Sequence, residues 1–105
     1  MSEFVTSSGE GERRAISVSG EVDIANVDEL LSQARACLEG PAEICEIDLA
    51  GVTFMDSSGL GALVRIRNLA HDHDKQLVLS NVPARVSRLF EVSGLTGVFS
   101  LRSDG

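Results

Sequence analysis

The chain has no tryptophan, no tyrosine and only four aromatic residues, all phenylalanine. Its core must therefore be aliphatic. Cysteine is also sparse. Cys37 and Cys45 make no Cys-x-x-Cys motif and read as small buried hydrophobes in a reducing compartment; a Cys37–Cys45 disulfide is the lesser alternative. Positive charge is short too. Nine Lys and Arg stand against sixteen Asp and Glu, for a formal net charge of −7. That balance repels phosphate backbones and argues against nucleic acid as a partner. It favours solubility, and a partner with a basic patch would associate faster. No apolar stretch approaches the ~20 residues that span a bilayer. No N-terminal apolar run follows a basic region, as it would in a signal peptide. The expected location is cytoplasmic, with no membrane partner. The chain also lacks a Walker-type Gly-rich loop with Lys, so it offers no ATP site of its own.

What is present suits one α/β domain. With 105 residues, 43% of them hydrophobic, a single domain over 1–105 is expected, its core at about 4–101. Phe4-Val5-Thr6 suits an edge strand, and Ser7 to Glu12 a turn. Arg13 to Gly20 alternates at period two in its apolar half, as a half-buried strand does. The two runs make an antiparallel hairpin. Asn26 stands three residues before Glu29, resembling a capping box with Asn in the lead. Val27, Leu30, Leu31, Ala34, Cys37 and Leu38 then share one helical face. Gly40-Pro41 stops that helix. Ile44 to Leu49 is a short strand, and Gly51 to Met55 leads on to a turn. A second helix follows from Leu60 to Ala70, with Leu60, Leu63, Val64, Arg67 and Ala70 on one stripe. Gln76 to Ser80 is a strand. Pro83 suits the first position of a third helix, whose apolar face is Val86, Leu89 and Phe90 and whose C′ residue is Gly94. Val98 to Arg102 adds a short last strand. Helices between successive strands call for right-handed crossovers and parallel pairing. The expected architecture is a mixed four- to five-stranded sheet packed with about three helices: an N-terminal hairpin, then alternating βα units.

Between the third strand and the second helix stands Asp56-Ser57-Ser58-Gly59-Leu60-Gly61. Asp56 suits an N-cap and the positive end of the helix. Ser57 and Ser58 then open the helix with their hydroxyls near the surface. A phosphate there would meet free N–H groups and the helix dipole. It would add about −1.5 to −2 charge beside Asp56, so a partner packed on the turn would meet repulsion and a desolvation cost. Gly59 and Gly61 each cost a helix about 1 kcal/mol relative to Ala, and leave room for a close neighbour or a partner backbone. The residues alone leave two readings open, a plain helix cap and an acceptor site. The cap explains Asp56 well and the second glycine poorly.

These residues resemble a known family. The chain looks like a STAS domain, specifically a stand-alone anti-sigma factor antagonist, from about Val5 to Leu101. The likeness rests on Asp56 to Gly61 after Asp48-Leu49 and Phe54, on Gly20-Glu21-Val22-Asp23 before the first helix, and on Gly94-Leu95 after an amphipathic helix. Members often continue past the last strand into a further helix, which has no counterpart before Gly105. The resemblance implies partner switching in transcription regulation, as in stress responses. The unphosphorylated protein binds an anti-sigma factor and frees a sigma factor. The anti-sigma factor is also an ATP-dependent serine kinase, and it phosphorylates the serine after the motif Asp. The phosphorylated form lets go, and a serine phosphatase resets it. That serine corresponds to Ser57, with Ser58 as the alternative. Asp23, Asp56, Ser57, Ser58, Gly59, Leu60 and Gly61 would form the partner surface. The resemblance implies no catalytic residue, cofactor or metal in this chain.

Two other functions compete. One keeps the fold but makes the chain a scaffold of a stress-signalling assembly, or an accessory subunit of a membrane lipid transporter. Those variants often lack a clean acceptor serine or occur in fused chains. The other is a hydrolase using Ser57. Ser57 does not lie in Gly-x-Ser-x-Gly, and His71 would stand about 20 Å away along the same helix, which excludes a triad within it. His71-Asp72-His73-Asp74 resembles a metal cluster on paper. It falls at a helix end, where polar residues face water and His suits the dipole.

Overall fold

The computed structural model describes residues 4–8, 11–95, 97 and 99–102. In chain order the elements are β1 (Val5–Ser8), β2 (Arg13–Val22), α1 (Val27–Glu39), β3 (Ile44–Met55), α2 (Ser57–Asp72), β4 (Gln76–Ser80), α3 (Ala84–Val92) and β5 (Ser100–Arg102). They build one sheet in the order β1-β2-β3-β4-β5. β1 runs antiparallel to β2, with Val5 opposite Val18, and every other pair is parallel. Each crossover from β2 onward moves to the next strand in the same direction. Right-handed connections therefore place all three helices on one face of the sheet.

Strand alternation decides which side chains meet those helices. Ile16 and Val18 of β2, Cys45, Ile47 and Leu49 of β3, and Leu77 and Leu79 of β4 point inward. They form one cluster with Leu30 and Leu38 of α1, Leu63 and Ile66 of α2, and Val86 and Phe90 of α3. Phe90 also stacks on Phe99, with ring centroids 5.3 Å apart. On the other face Glu46 is buried. It takes a 2.6 Å ion pair from Arg13, and Ser80 Oγ donates to it at 2.7 Å. A buried carboxylate needs such partners, because desolvation penalises a lone charge.

The helix ends follow local chemistry. Asp56 caps α2 through its side chain, and Gly40 closes α1 by donating its N–H to Cys37 O. Past α3, Gly94 takes a positive φ of 73°. Its N–H reaches Glu91 O at 3.2 Å and the Leu95 N–H reaches Phe90 O at 2.8 Å. This is a Schellman motif with glycine at C′, as its sequence position suggests.

Several local expectations are corrected. β3 runs on to Met55 and β2 to Val22, because the two pair along almost their whole length. The hairpin strand β1 includes Ser7 and Ser8, since both pair with β2; Gly9 and Glu10 of the expected turn, and Val98 of the last strand, lie outside the described residues. No capping box forms at α1. Asn26 turns back instead, accepting the Asp23 N–H at 2.9 Å and donating to Glu21 O at 2.8 Å. Arg67 is exposed, and the buried stripe of α2 passes through Leu60, Leu63, Ile66 and Ala70 with Gly59 and Ala62. Pro83 is the N-cap of α3 rather than its first helical residue. Both cysteines are free and buried. Burial, and then a hydrogen bond that the protonated Cys45 thiol donates to the neighbouring Cys37 sulfur, push the Cys45 thiol well above its ordinary range. Among the described residues, no helix is long and apolar enough to cross a membrane.

Candidate functional site

The length of β3 sets the site. Its last residue, Met55, lies opposite Val22, the last residue of β2. The Asp56 N–H then donates to Val22 O at 3.3 Å. Asp23 and Asp56 therefore leave the sheet side by side, at the C-terminal ends of two adjacent parallel strands. Open α/β sheets present their ligand and partner residues at this end.

Asp56 has extended backbone angles, and α2 starts at Ser57. Asp56 Oδ1 accepts the Ser58 N–H at 2.8 Å and the Gly59 N–H at 3.4 Å. The carboxylate thus satisfies two of the first-turn donors and sits against the positive end of the helix. This corrects the expectation that a phosphate would find these donors free. The helix dipole still favours an anion here, but the Ser58 and Gly59 N–H groups are already engaged.

The motif residues divide into inward and outward sets. Ser57 is exposed and Ser58 half-buried. Gly59 is buried, and a Cβ there would come within 2.6 Å of Met55 Cγ and 2.8 Å of Val22 Cγ1. Glycine is thus what lets the first turn of α2 lie on the ends of β2 and β3. Leu60 is only 7% exposed and belongs to the core. Gly61 is exposed, and a Cβ there would meet nothing within 4 Å. The structure therefore brings Asp56, Ser57, Ser58 and Gly61 to the surface with Asp23, while Gly59 and Leu60 support them from beneath.

Asp23 shapes the adjoining loop. Its Oδ1 accepts the Ala25 N–H at 3.0 Å, and its carbonyl accepts the N–H groups of Asn26 and Val27. Ile24, at the loop tip, is 80% exposed. Ile24, Phe54 and Val92 are the exposed large hydrophobic residues among the described ones. Sequence reasoning missed all three. Ile24 carried a signal, as a lone large apolar residue in an otherwise polar loop. Phe54 and Val92 carried none, because each sits in an element whose apolar residues are mostly buried.

A catalytic reading of Ser57 finds little support in the geometry. Among the described residues, no side chain hydrogen-bonds its hydroxyl. His71 and His73 stand at the far end of α2 and are exposed. Among the described residues, no group of three or more His, Cys, Asp or Glu could hold a metal ion.

The family model described as "Mlab, STAS domain" matches residues 5–102. The chain belongs to the STAS family. An anti-sigma-B factor antagonist of Staphylococcus epidermidis is 34% identical to this STAS domain over 80 residues, which is 76% of this chain and 74% of that protein. Solved structures give the same fold. An anti-sigma factor antagonist from Mycobacterium paratuberculosis superposes with a TM-score of 0.81 at 23% identity, covering 92% of this chain and 82% of that one. The anti-sigma factor antagonist SpoIIAA in its unphosphorylated form gives a TM-score of 0.80 at 19% identity, covering 96% of this chain and 88% of that one. The phosphorylated form of SpoIIAA, a Bacillus cell fate determinant, gives 0.75 at 19%, covering 96% and 91%. The likeness to STAS domains and the mixed sheet with three helices both hold.

Proposed function

We propose that this STAS domain is an anti-sigma factor antagonist that switches partners by phosphorylation of Ser57. Unphosphorylated, it binds an anti-sigma factor in the cytoplasm and so frees a sigma factor. The bound anti-sigma factor, acting as a serine kinase, transfers the γ-phosphoryl group of ATP to Ser57 Oγ. The kinase supplies the nucleotide, the metal and the base, so this chain is a substrate rather than a catalyst. Phosphoserine then expels the partner, and a serine phosphatase removes the phosphate. One observation carries this reading: Ser57 is exposed as the first residue of α2, directly beside the capping carboxylate of Asp56. A dianion there keeps the helix dipole as a favourable neighbour, so the fold tolerates it. At an interface the same dianion adds to Asp56 and Asp23 and must be desolvated, which opposes binding. The greater exposure of Ser57 favours it over Ser58 as acceptor. The curated relatives, anti-sigma-B factor antagonists by name, support the partner class.

The test is incubation with anti-sigma kinases and ATP, followed by intact mass and site mapping. One added phosphate on Ser57 is expected, with Ser57→Ala retaining the partner and Ser57→Asp weakening it. No phosphate on the wild type, together with unchanged partner binding by Ser57→Asp, would sink the switch.

A further inference from the structure

Beside the serine turn lies a groove that the switch does not use. It has a volume of about 260 Å³ and is lined by Phe54, Met55, Arg85, Arg88, Leu89 and Val92. Phe54 and Met55 are the two residues before Asp56, so the groove shares the end of β3 with the serine turn. Arg85, Arg88, Leu89 and Val92 fall at i, i+3, i+4 and i+7 of α3, which sets them along one stripe. That stripe flanks the core face, where Val86 and Phe90 are buried; Leu89, half-buried, borders both and packs against the core. Val92 is 79% exposed and Phe54 46%. Scattered apolar residues on a surface mean little. Here two of the three exposed large ones line a single groove, and the third, Ile24, stands at the same end of the sheet. The charge is equally local. The chain carries −7 overall, yet the groove is lined by two arginines, one of which donates to Thr53 O at 3.3 Å.

We infer that this groove is a docking site for an acidic, apolar segment of the anti-sigma factor, one that seats a large apolar side chain against Phe54, Leu89 and Val92 and sets carboxylates against Arg85 and Arg88. The inference rests on the proposed function and names a second contact of the same partner. Charge complementarity selects the occupant. Arginine gives planar, paired contacts to carboxylates, and a desolvated apolar anchor supplies most of the energy of a small interface. A basic segment would be repelled from this groove, although it suits the acidic rim at Asp23 and Asp56. The two contacts are separable. The serine turn reads phosphorylation, whereas the groove sets affinity and registers the partner on α3.

The experiment measures binding of an anti-sigma kinase that phosphorylates Ser57, by calorimetry, to the wild type and to Arg88→Glu, Val92→Asp and the control Arg35→Glu. Arg35 is exposed on α1 and carries the same change of charge as Arg88. Thermal melts check that each variant stays folded. The groove predicts at least tenfold weaker binding for Arg88→Glu and for Val92→Asp, and less than twofold change for Arg35→Glu. Unchanged binding by both groove variants overturns the groove and leaves the Ser57 switch standing. Loss with Val92→Asp but not with Arg88→Glu overturns the acidic occupant. Tighter binding by Arg88→Glu overturns it as well, by pointing to a basic segment. If no anti-sigma kinase binds the wild type, the proposed function falls and the groove falls with it.

Discussion

At Gly59 and Gly61 a methyl group would meet opposite surroundings. At Gly59 it would strike Met55 and Val22. Gly59→Ala is therefore expected to lower stability by about 1–3 kcal/mol, as overpacking does, in urea unfolding. At Gly61 there is open space, and Ala is the better helix former. Gly61→Ala should raise stability by up to about 1 kcal/mol. The proposed interface predicts that the same change weakens partner binding, because nothing inside the fold requires glycine there. A variant more stable and bound as tightly as wild type would remove Gly61 from the interface. Asp56→Ala loses a cap that serves two N–H groups, and about 0.5–2 kcal/mol is expected to go with it. Cys45 gives a pH test. Below about pH 8.5 its thiol is protonated in both folded and unfolded chains. Above that, the unfolded chain releases a proton that the folded chain keeps, because burial raises the folded value. Stability should therefore fall as pH rises. The fall between pH 8.5 and 10 should be shallower in Cys45→Ala, measured by urea unfolding at each pH.

The elements show which information is local and which is not. The Schellman end of α3 depends on Gly94 at φ 73°. Gly94→Ala should cost about 1–2 kcal/mol of stability, the left-handed penalty for a side chain, and a melting temperature would register it. Such ends were legible in the sequence, because Asp56, Gly40 and Gly94 act on their own neighbours. The hairpin, the βα alternation and the serine turn were legible for the same reason. β3 was not. Ala50 and Gly51 look like a break, and only pairing with Ser19 and Gly20 of a distant strand carries the strand through to Met55. Asn26 failed as a cap because Glu21 O and the Asp23 N–H, both set by the loop, compete for its side chain. Arg67 falls off the buried stripe of α2 because that stripe is centred on Leu63 and Ile66. The groove of Phe54 and α3 was also hidden, since it joins two elements that only the sheet order brings together.

At the scale of the whole molecule, the sheet sends two carboxylates, two hydroxyls and the exposed apolar residues to one end. The helices sit on one face, the Arg13–Glu46–Ser80 network occupies the other with Glu46 and Ser80 buried and Arg13 exposed, and the free ends of β2 and β3 carry the proposed acceptor turn. The net charge of −7 bears on encounter with a partner rather than on the fold. Long-range attraction of this kind is screened over about 8 Å at physiological salt. Association with an anti-sigma factor that presents a basic patch should therefore slow as salt rises, while dissociation changes less, in stopped-flow or surface-binding kinetics. The most direct measurement compares the affinity of one anti-sigma factor for the protein before and after complete phosphorylation at Ser57, with intact mass verifying occupancy. At least hundredfold weaker binding after phosphorylation is predicted, with the fold unchanged by circular dichroism. Equal affinity of the two forms would contradict the switch.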